Sequence, residues 1–342
     1  MARAFLLLLV FCSSICCYDK FKVLINRLPA RFLQHYHHNP EDYAPILVTL
    51  LIGTPPRYKR FALDTTLGDV QVPLCHGAPP VESDESCFNY SNSSSFVRTS
   101  ANTARDTFMN PLAAATPFPS TAFETISPEK SKFGHLGFGW PSLRKYPSDT
   151  FFPYEFLKSF SDFNRFTIAM GNNDTAGIID WGQEPSAVCG SAQTSWVPVT
   201  SLTYWQFAIK GFNFGTISAS FKSQGVIATN QEFIGMPGKF LRKLTNAFGI
   251  QWDGLYEAYT LDCNKKLPDL KITVFGAVIT IKPAQYVYWD PLPNGKCVLS
   301  IEDSGKYGFG PGWYFGIQIL TSYCTTFDYD RKTIGFTVND SV

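Results

Sequence analysis

Charge is sparse in this sequence, and long apolar runs are nearly absent. Asp, Glu, Lys and Arg together make up 17% of 342 residues, and the formal net charge is +1. That balance excludes the basic footprint of a nucleic-acid binder and of a protein held on an anionic membrane surface. Past the N-terminus no segment reaches the ~18–20 apolar residues that a spanning helix needs, so no membrane span is expected. Sustained helical periodicity is also scarce, and the clearest helical stretches are 153–160 and 237–248. After residue 17 there is no Cys-x-x-Cys pair, which removes the commonest zinc pattern. Between Arg98 and Lys132 there is no tyrosine.

What is present is a secreted, strand-rich pattern. Residues 1–17 read as a signal peptide: Arg3 supplies the positive end, Phe5 to Phe11 the apolar core, and Ser13-Ser14 the small residues. Six cysteines follow it, Cys75, Cys87, Cys189, Cys263, Cys297 and Cys324, an even number that suggests three disulfides. Asn89, Asn92, Asn173 and Asn339 each begin an Asn-x-Ser/Thr triplet, the acceptor pattern for glycosylation. Together these predict a secreted or extracellular, or lysosomal, glycoprotein. Residues 18–40 are basic and read as a remnant pro-segment or a mobile N-terminus. His35, His37 and His38 within it read as part of a solvated tail, so no metal site and no cofactor are expected.

Residues 46–52 and 60–63 are short β-rich apolar runs, the first ended by Gly53-Thr-Pro-Pro56. Residues 204–209 alternate, 272–281 read as a hairpin turning at Gly276, and 332–338 as a terminal strand. Many short strands punctuated by Gly and Pro predict an all-β chain. The theme recurs in the second half as one long, imperfect repeat, which means two related lobes and not a solenoid.

Several segments resemble the pepsin-like aspartic proteases, most closely the nematode secreted members. They are Ile52-Gly-Thr-Pro55 with Phe61-Ala-Leu-Asp64-Thr65, then Val72-Pro73, Leu136-Gly-Phe-Gly139, Trp196-Val-Pro-Val199, Gly225-Val-Ile-Ala228-Thr229, Gly310-Pro-Gly-Trp313-Tyr-Phe-Gly316 and Ile334-Gly-Phe336. The resemblance covers about residues 43 to 340. It implies a bilobal fold with a central cleft, an N-terminal lobe over 41–171 and a C-terminal lobe over 172–342. It also implies Cys75–Cys87 and Cys263–Cys297 disulfides, with Cys189–Cys324 as the third pair.

In active members, the resemblance further implies, one Asp from each lobe holds a water and the two carboxylates share one proton. Here Asp64 matches the first, and Ala228 stands in the place of the second. Thr66 and Asn230 replace the glycines that follow, which predicts a reshaped first loop. Leu67 and Gly68 lack the hydroxyls that usually follow, and Gln71 stands where many members have a cleft-wall Trp. The Tyr-free 98–132 stretch, broken by Pro111, Pro117 and Pro119, predicts no flap hairpin of normal length. The expected protein is therefore an inactive, monomeric homologue that binds a peptide or protein partner in its interlobe cleft. The alternatives are an endopeptidase in which Asp69 or Glu232 supplies a second acid for Asp64, and a structural or decoy protein.

Overall fold

Short runs of β-branched and aromatic residues, each closed by glycine or proline, become strands that pair mostly with near neighbours. A computed structural model describes residues 21–25, 46–75, 87–109, 117–129, 131, 133–146, 151–158, 161–170, 176–185, 189–308 and 310–338. Of residues 21–25, 117–119, 176 and 307 only the backbone is described. The signal segment, residues 26–45, and the sequons at Asn173 and Asn339 lie outside these residues, as does the boundary expected at 171/172.

In the first half, Ile46–Ile52 and Arg57–Asp64 form a hairpin registered from Leu47↔Ala62 to Ile52↔Arg57. Its turn starts at Gly53, whose φ of +87° is left-handed and suits glycine. Arg57–Asp64 then runs parallel to Gly134–Gly137, with Asp64 opposite Gly137. The second half repeats this arrangement. Gln206–Phe214 and Ile217–Ile227 pair antiparallel, and the latter runs parallel to Trp313–Phe315, with Ile227 opposite Phe315. Each half thus delivers one strand end, and the loop after it, against a parallel strand behind.

The two halves share a six-stranded antiparallel sheet. Its order is Phe21–Ile25, Ala176–Trp181, Arg165–Met170, Tyr323–Asp328, Thr333–Val338, Thr194–Ser201. Aromatic packing seals it against both halves. Phe166 stacks on Phe327 at 4.6 Å between centroids, and Phe138 packs on Phe166 at 5.0 Å. Each buried ring of this size contributes roughly 1.5–3 kcal/mol relative to exposure. The outcome is the bilobal, all-β pepsin-like fold that the sequence predicts.

The predicted helices appear at Phe152–Lys158 and Gly238–Phe248. The second buries Phe240, Leu241 and Leu244, and ends at a left-handed Gly249, φ 57°, the usual αL stop. The predicted hairpin forms from Leu270–Thr273 and Val278–Ile281, with Gly276 at φ +70°. All three expected disulfides are present, with Cα–Cα separations of 5.0 Å for Cys75–Cys87, 5.8 Å for Cys189–Cys324 and 5.0 Å for Cys263–Cys297.

Of the two readings of residues 18–40, a mobile end does not describe Phe21–Ile25, which pairs from Phe21↔Ile179 to Leu24↔Ala176 and also meets Ile46–Ile52. One expectation needs correction. The stretch expected to lack a long hairpin contains one, built from Thr103–Met109 and Pro117–Ile126 and registered from Thr103↔Glu124 to Met109↔Pro117. The prolines do not prevent it because of where they fall. Pro117 opens its strand, and Pro119 lies in the register shift between Asp106↔Thr121 and Phe108↔Phe118. Strand starts and bulges are where a residue without an N–H is tolerated.

Candidate active site: one carboxylate between two locked loops

The strand Arg57–Asp64 ends at Asp64, and the loop Thr65-Thr66 follows. From the other half, Ile227 ends its strand and Ala228-Thr229-Asn230 follows. The two loops are tied by a reciprocal set of buried hydrogen bonds. Thr65 Oγ1 donates to Ile227 O at 2.9 Å, and Thr229 Oγ1 donates to Leu63 O at 2.6 Å. Thr229 N donates to Thr65 Oγ1 at 3.1 Å, and Thr65 N donates to Thr229 Oγ1 at 3.0 Å. Both threonines are fully buried, so these bonds replace water that could not otherwise reach the main chain. The structure thus brings together the two loops that the sequence pairs.

Each loop is backed by a main-chain hydrogen bond, given by the backing segment in the first half and by the loop in the second. Phe138 N donates to Asp64 O at 2.8 Å, and Ala228 N donates to Phe315 O at 2.9 Å. The backing strands must come close, and their glycines allow it. A Cβ on Gly137 would sit 2.4 Å from Asp69 O, and one on Gly316 2.0 Å from Gln231 O.

Asp64 is buried, 2% exposed, and its carboxylate is held by side chains that the sequence marks as losses. Thr66, in a glycine position, donates to Oδ1 twice, from N at 2.7 Å and from Oγ1 at 2.6 Å. The hydroxyl missing at Leu67 is therefore supplied one residue earlier. Asn230, in the other glycine position, donates from Nδ2 to Asp64 Oδ2 at 3.1 Å and to Thr66 Oγ1 at 3.2 Å. Neither Thr66 nor Asn230 adopts a positive φ. The first loop thus carries its β-branched residue without left-handed backbone, and Thr66 keeps the amide that points at the acid.

Ala228 is 1% exposed and brings only a methyl group to the floor. Burial pushes the Asp64 carboxyl above its usual range, against the hydrogen bonds from Thr66, the nearby His135 and Asn230, which favour the anion. Without a second carboxylate the raised value comes from desolvation and not from like-charge repulsion.

Neither of the acids considered as substitutes is among the groups that act on Asp64. Asp69 accepts from Lys145 N at 2.6 Å and lies 3.8 Å from Arg144 Nε. Glu232 is buried beyond the second loop, where its carbonyl accepts from Ser300 Oγ at 3.0 Å and from Gln318 Nε2. The polar partners of Asp64 are instead Thr66, Asn230 and His135. Gln71, on the strand Val70–Pro73, donates to Glu124 Oε2 at 2.7 Å, and Lys145 Nζ meets Glu124 Oε1 at 2.7 Å. That carboxylate belongs to the hairpin strand Pro117–Ile126, so it ties the hairpin base to the cleft wall.

The sequence reading missed His135. Its Nδ1 lies 3.8 Å from Asp64 Oδ2, and burial lowers its basicity while Asp64 opposes the shift. The signal was available: a histidine directly before Leu136-Gly-Phe-Gly139, the segment matched to the family. Of the sequons, Asn92 is exposed, while Asn89 is half-buried and accepts from Ser91 Oγ at 2.7 Å. Among the described residues, no group of three or more His, Cys, Asp or Glu is placed to hold a metal ion. Likewise, no helix there is long and apolar enough to cross a membrane.

The sequence profile of the eukaryotic aspartyl proteases matches residues 113–339. Aspartic protease 1 of Caenorhabditis elegans is 31% identical over 211 residues, which is 59% of this chain and 53% of that protein. Aspartic protease 17 of the same organism is 31% identical over 209 residues, again 59% of this chain and 53% of that protein. Gastricsin of Cavia porcellus is 23% identical over 312 residues, 83% of this chain and 78% of that protein. The match thus spans about half the length of the two nematode relatives. With paired loops, backing strands and disulfides all in place, the chain belongs to the eukaryotic aspartyl protease family, of pepsin-like fold.

Proposed function

We propose that this protein is a secreted member of the aspartyl protease family that has lost hydrolytic activity and binds a peptide or protein partner in the cleft between its lobes, 41–171 and 172–342. The observation that carries the reading is Ala228 at the place of the second carboxylate, buried and on the loop that is hydrogen-bonded to the loop after Asp64. The family's chemistry needs two carboxylates that hold one water and one proton. A methyl group offers neither a proton site nor a hydrogen-bond acceptor. The donors around Asp64 add weight, since Thr66 and Asn230 already occupy both of its oxygens.

Secretion follows from the signal-like N-terminus and from three disulfides, which persist in oxidising compartments. Glycosylation is assigned first to exposed Asn92. A groove between two lobes remains a natural ligand site without chemistry. The test uses a displayed peptide library and two photo-crosslinking variants. A crosslinker at Gln71 in the cleft wall should capture retained peptides. One at Lys332, in the turn joining two strands of the shared sheet, should not. Equal labelling at both positions, or no retention at all, would remove the binding half of the proposal.

A further inference from the structure

The hairpin of Gln251–Asp253 and Ala258–Asp262 carries two aromatic side chains on one face, because Trp252 pairs directly with Tyr259. Their rings meet edge to face, 5.1 Å between centroids. Tyr259 packs against the main core, whereas Trp252 is 55% exposed. Single exposed aromatics are common on protein surfaces, but this one walls a cavity of about 510 Å³ together with Tyr259 and four charged side chains. That volume falls within the ~300–1,000 Å³ of small-ligand sites.

The charged lining is held by the surrounding chain. In the hairpin turn, Tyr256 is buried in a small apolar cluster with Phe233, Tyr288 and Leu292. Glu257 follows it with φ 49°, a left-handed backbone that glycine suits better. The turn therefore keeps a carboxylate against its own conformational preference. Across the cavity, Asp303 Oδ1 accepts from Gly305 N at 2.9 Å. Its Oδ2 rests against the first residue of the helix Gly238–Phe248, where a Cβ on Gly238 would lie 2.1 Å from it. That is the positive end of the helix, which favours an anion. Glu302 is 9% exposed and ion-paired with Lys306, so the lysine offsets one carboxylate. Three acids and one lysine thus line the cavity beside an aromatic face, an excess of two negative charges.

We propose that this cavity is a second binding site, and that it takes an arginine side chain presented by a protein partner. A guanidinium matches both walls. Its flat face stacks on the exposed Trp252 ring, and its N–H groups are left for the Glu257 and Asp303 carboxylates. The negative excess repels an anionic group. A neutral sugar stacks on the same ring but leaves that excess uncompensated. The site is apart from the Asp64 floor. Val226, Tyr314, Gly235 and Glu302 form one row across four strands. At ~4.8 Å per strand, Glu302 lies roughly 14 Å from Val226, which stands two residues before Ala228. The inference therefore stands whether or not the cleft binds a peptide.

The test is an NMR titration of the intact, disulfide-bonded, 15N-labelled protein with N-acetyl-arginine amide and with its citrulline analogue, which keeps the shape and lacks the charge. Trp252→Phe identifies the Trp252 indole signal among seven tryptophans. The expected result is a saturable shift of that indole and of the Gly254 amide, which also lines the cavity, at millimolar arginine probe. Added salt should weaken it, and the citrulline analogue should not saturate. Glu257→Gln should weaken binding roughly two- to fivefold, as for an exposed ion pair. Trp252→Ala, read on the Gly254 amide, should weaken it by about two- to fivefold through the lost cation–π contact. Glu257→Gly, which relieves the left-handed backbone, should stay folded and show the same loss, so that a folding defect is separable from a lost contact. No shift with the arginine probe, equal binding of the citrulline analogue, tighter binding of a chito-oligosaccharide, or variants that bind like the unsubstituted protein would overturn the proposal.

Discussion

Replacing Thr229 by Val should loosen the junction between the lobes by an amount that the hydrogen bonds allow to be estimated. Val keeps the shape and removes only the hydroxyl. Two buried main-chain groups then lose their partner: Leu63 O, which accepts from Thr229 Oγ1 at 2.6 Å, and Thr65 N, which donates to it at 3.0 Å. Neither site is open to water, because both threonines are fully buried. A stranded buried donor or acceptor costs about 1–3 kcal/mol, so the pair predicts a loss of roughly 2–6 kcal/mol. That is a large part of the ~5–15 kcal/mol stability of a typical protein. Thr65→Val should cost a similar amount, since it strands Ile227 O and Thr229 N. The double variant should cost less than the sum, because the two hydroxyls lie in one network. Urea unfolding followed by tryptophan fluorescence measures all three, with Thr229→Ser, which keeps the oxygen, as the control. If Thr229→Val and Thr229→Ser both fall within about 0.5 kcal/mol of wild type, the size of an ordinary surface change, the lobes are not held in this way.

Two further predictions concern the acid itself. A carboxyl whose folded pKa is raised contributes stability that is fully present below its unfolded value of 3.8 and is lost as pH rises through the raised folded value. His135 runs the other way: its folded value is lowered, so its contribution is full above 6.5 and is lost as pH falls through the lowered value. Asp64→Asn should therefore gain stability relative to wild type on going from pH 4 to pH 7, read as urea midpoints at the two values; a constant or reversed difference would contradict the burial argument. Ala228→Asp should not restore a working protease, because Thr66 and Asn230 still hold the Asp64 oxygens and orientation matters steeply in catalysis. Adding Thr66→Gly and Asn230→Gly should bring the pair nearer a shared-proton geometry with turnover still far below that of an active family member, measured on an unfolded protein substrate; robust cleavage by Ala228→Asp alone would show the remaining site to be intact.

The fold was legible because its signals are local. Gly53, Gly249 and Gly276 mark turns and a helix end that no other residue suits as well, and short apolar runs between them could only be strands. The cysteines were legible through the resemblance. The hairpin at 103–126 was misread because proline was counted by presence and not by position, and Pro119 coincides with a bulge that only pairing reveals. At the site, Asp64 and Ala228 were plain from the motif. The rebuilding around them was not, since Thr66 and Asn230 read as lost glycines, while their side chains supply the donors that the acid needs. His135 was missed because its meaning depends on a parallel strand 71 residues away in sequence from Asp64, as the positions 64 and 135 show, and no spacing rule connects them.

The central claim is that one carboxylate and one methyl group cannot perform the family's hydrolysis. The most direct test is turnover of an unfolded protein substrate by the purified, disulfide-bonded chain between pH 3 and 7, beside an Asp64→Ala variant and an acid-protease inhibitor control. The account predicts no cleavage above background at any pH, and no difference between the chain and its Asp64→Ala variant. Cleavage that is blocked by the inhibitor and abolished by Asp64→Ala would contradict it.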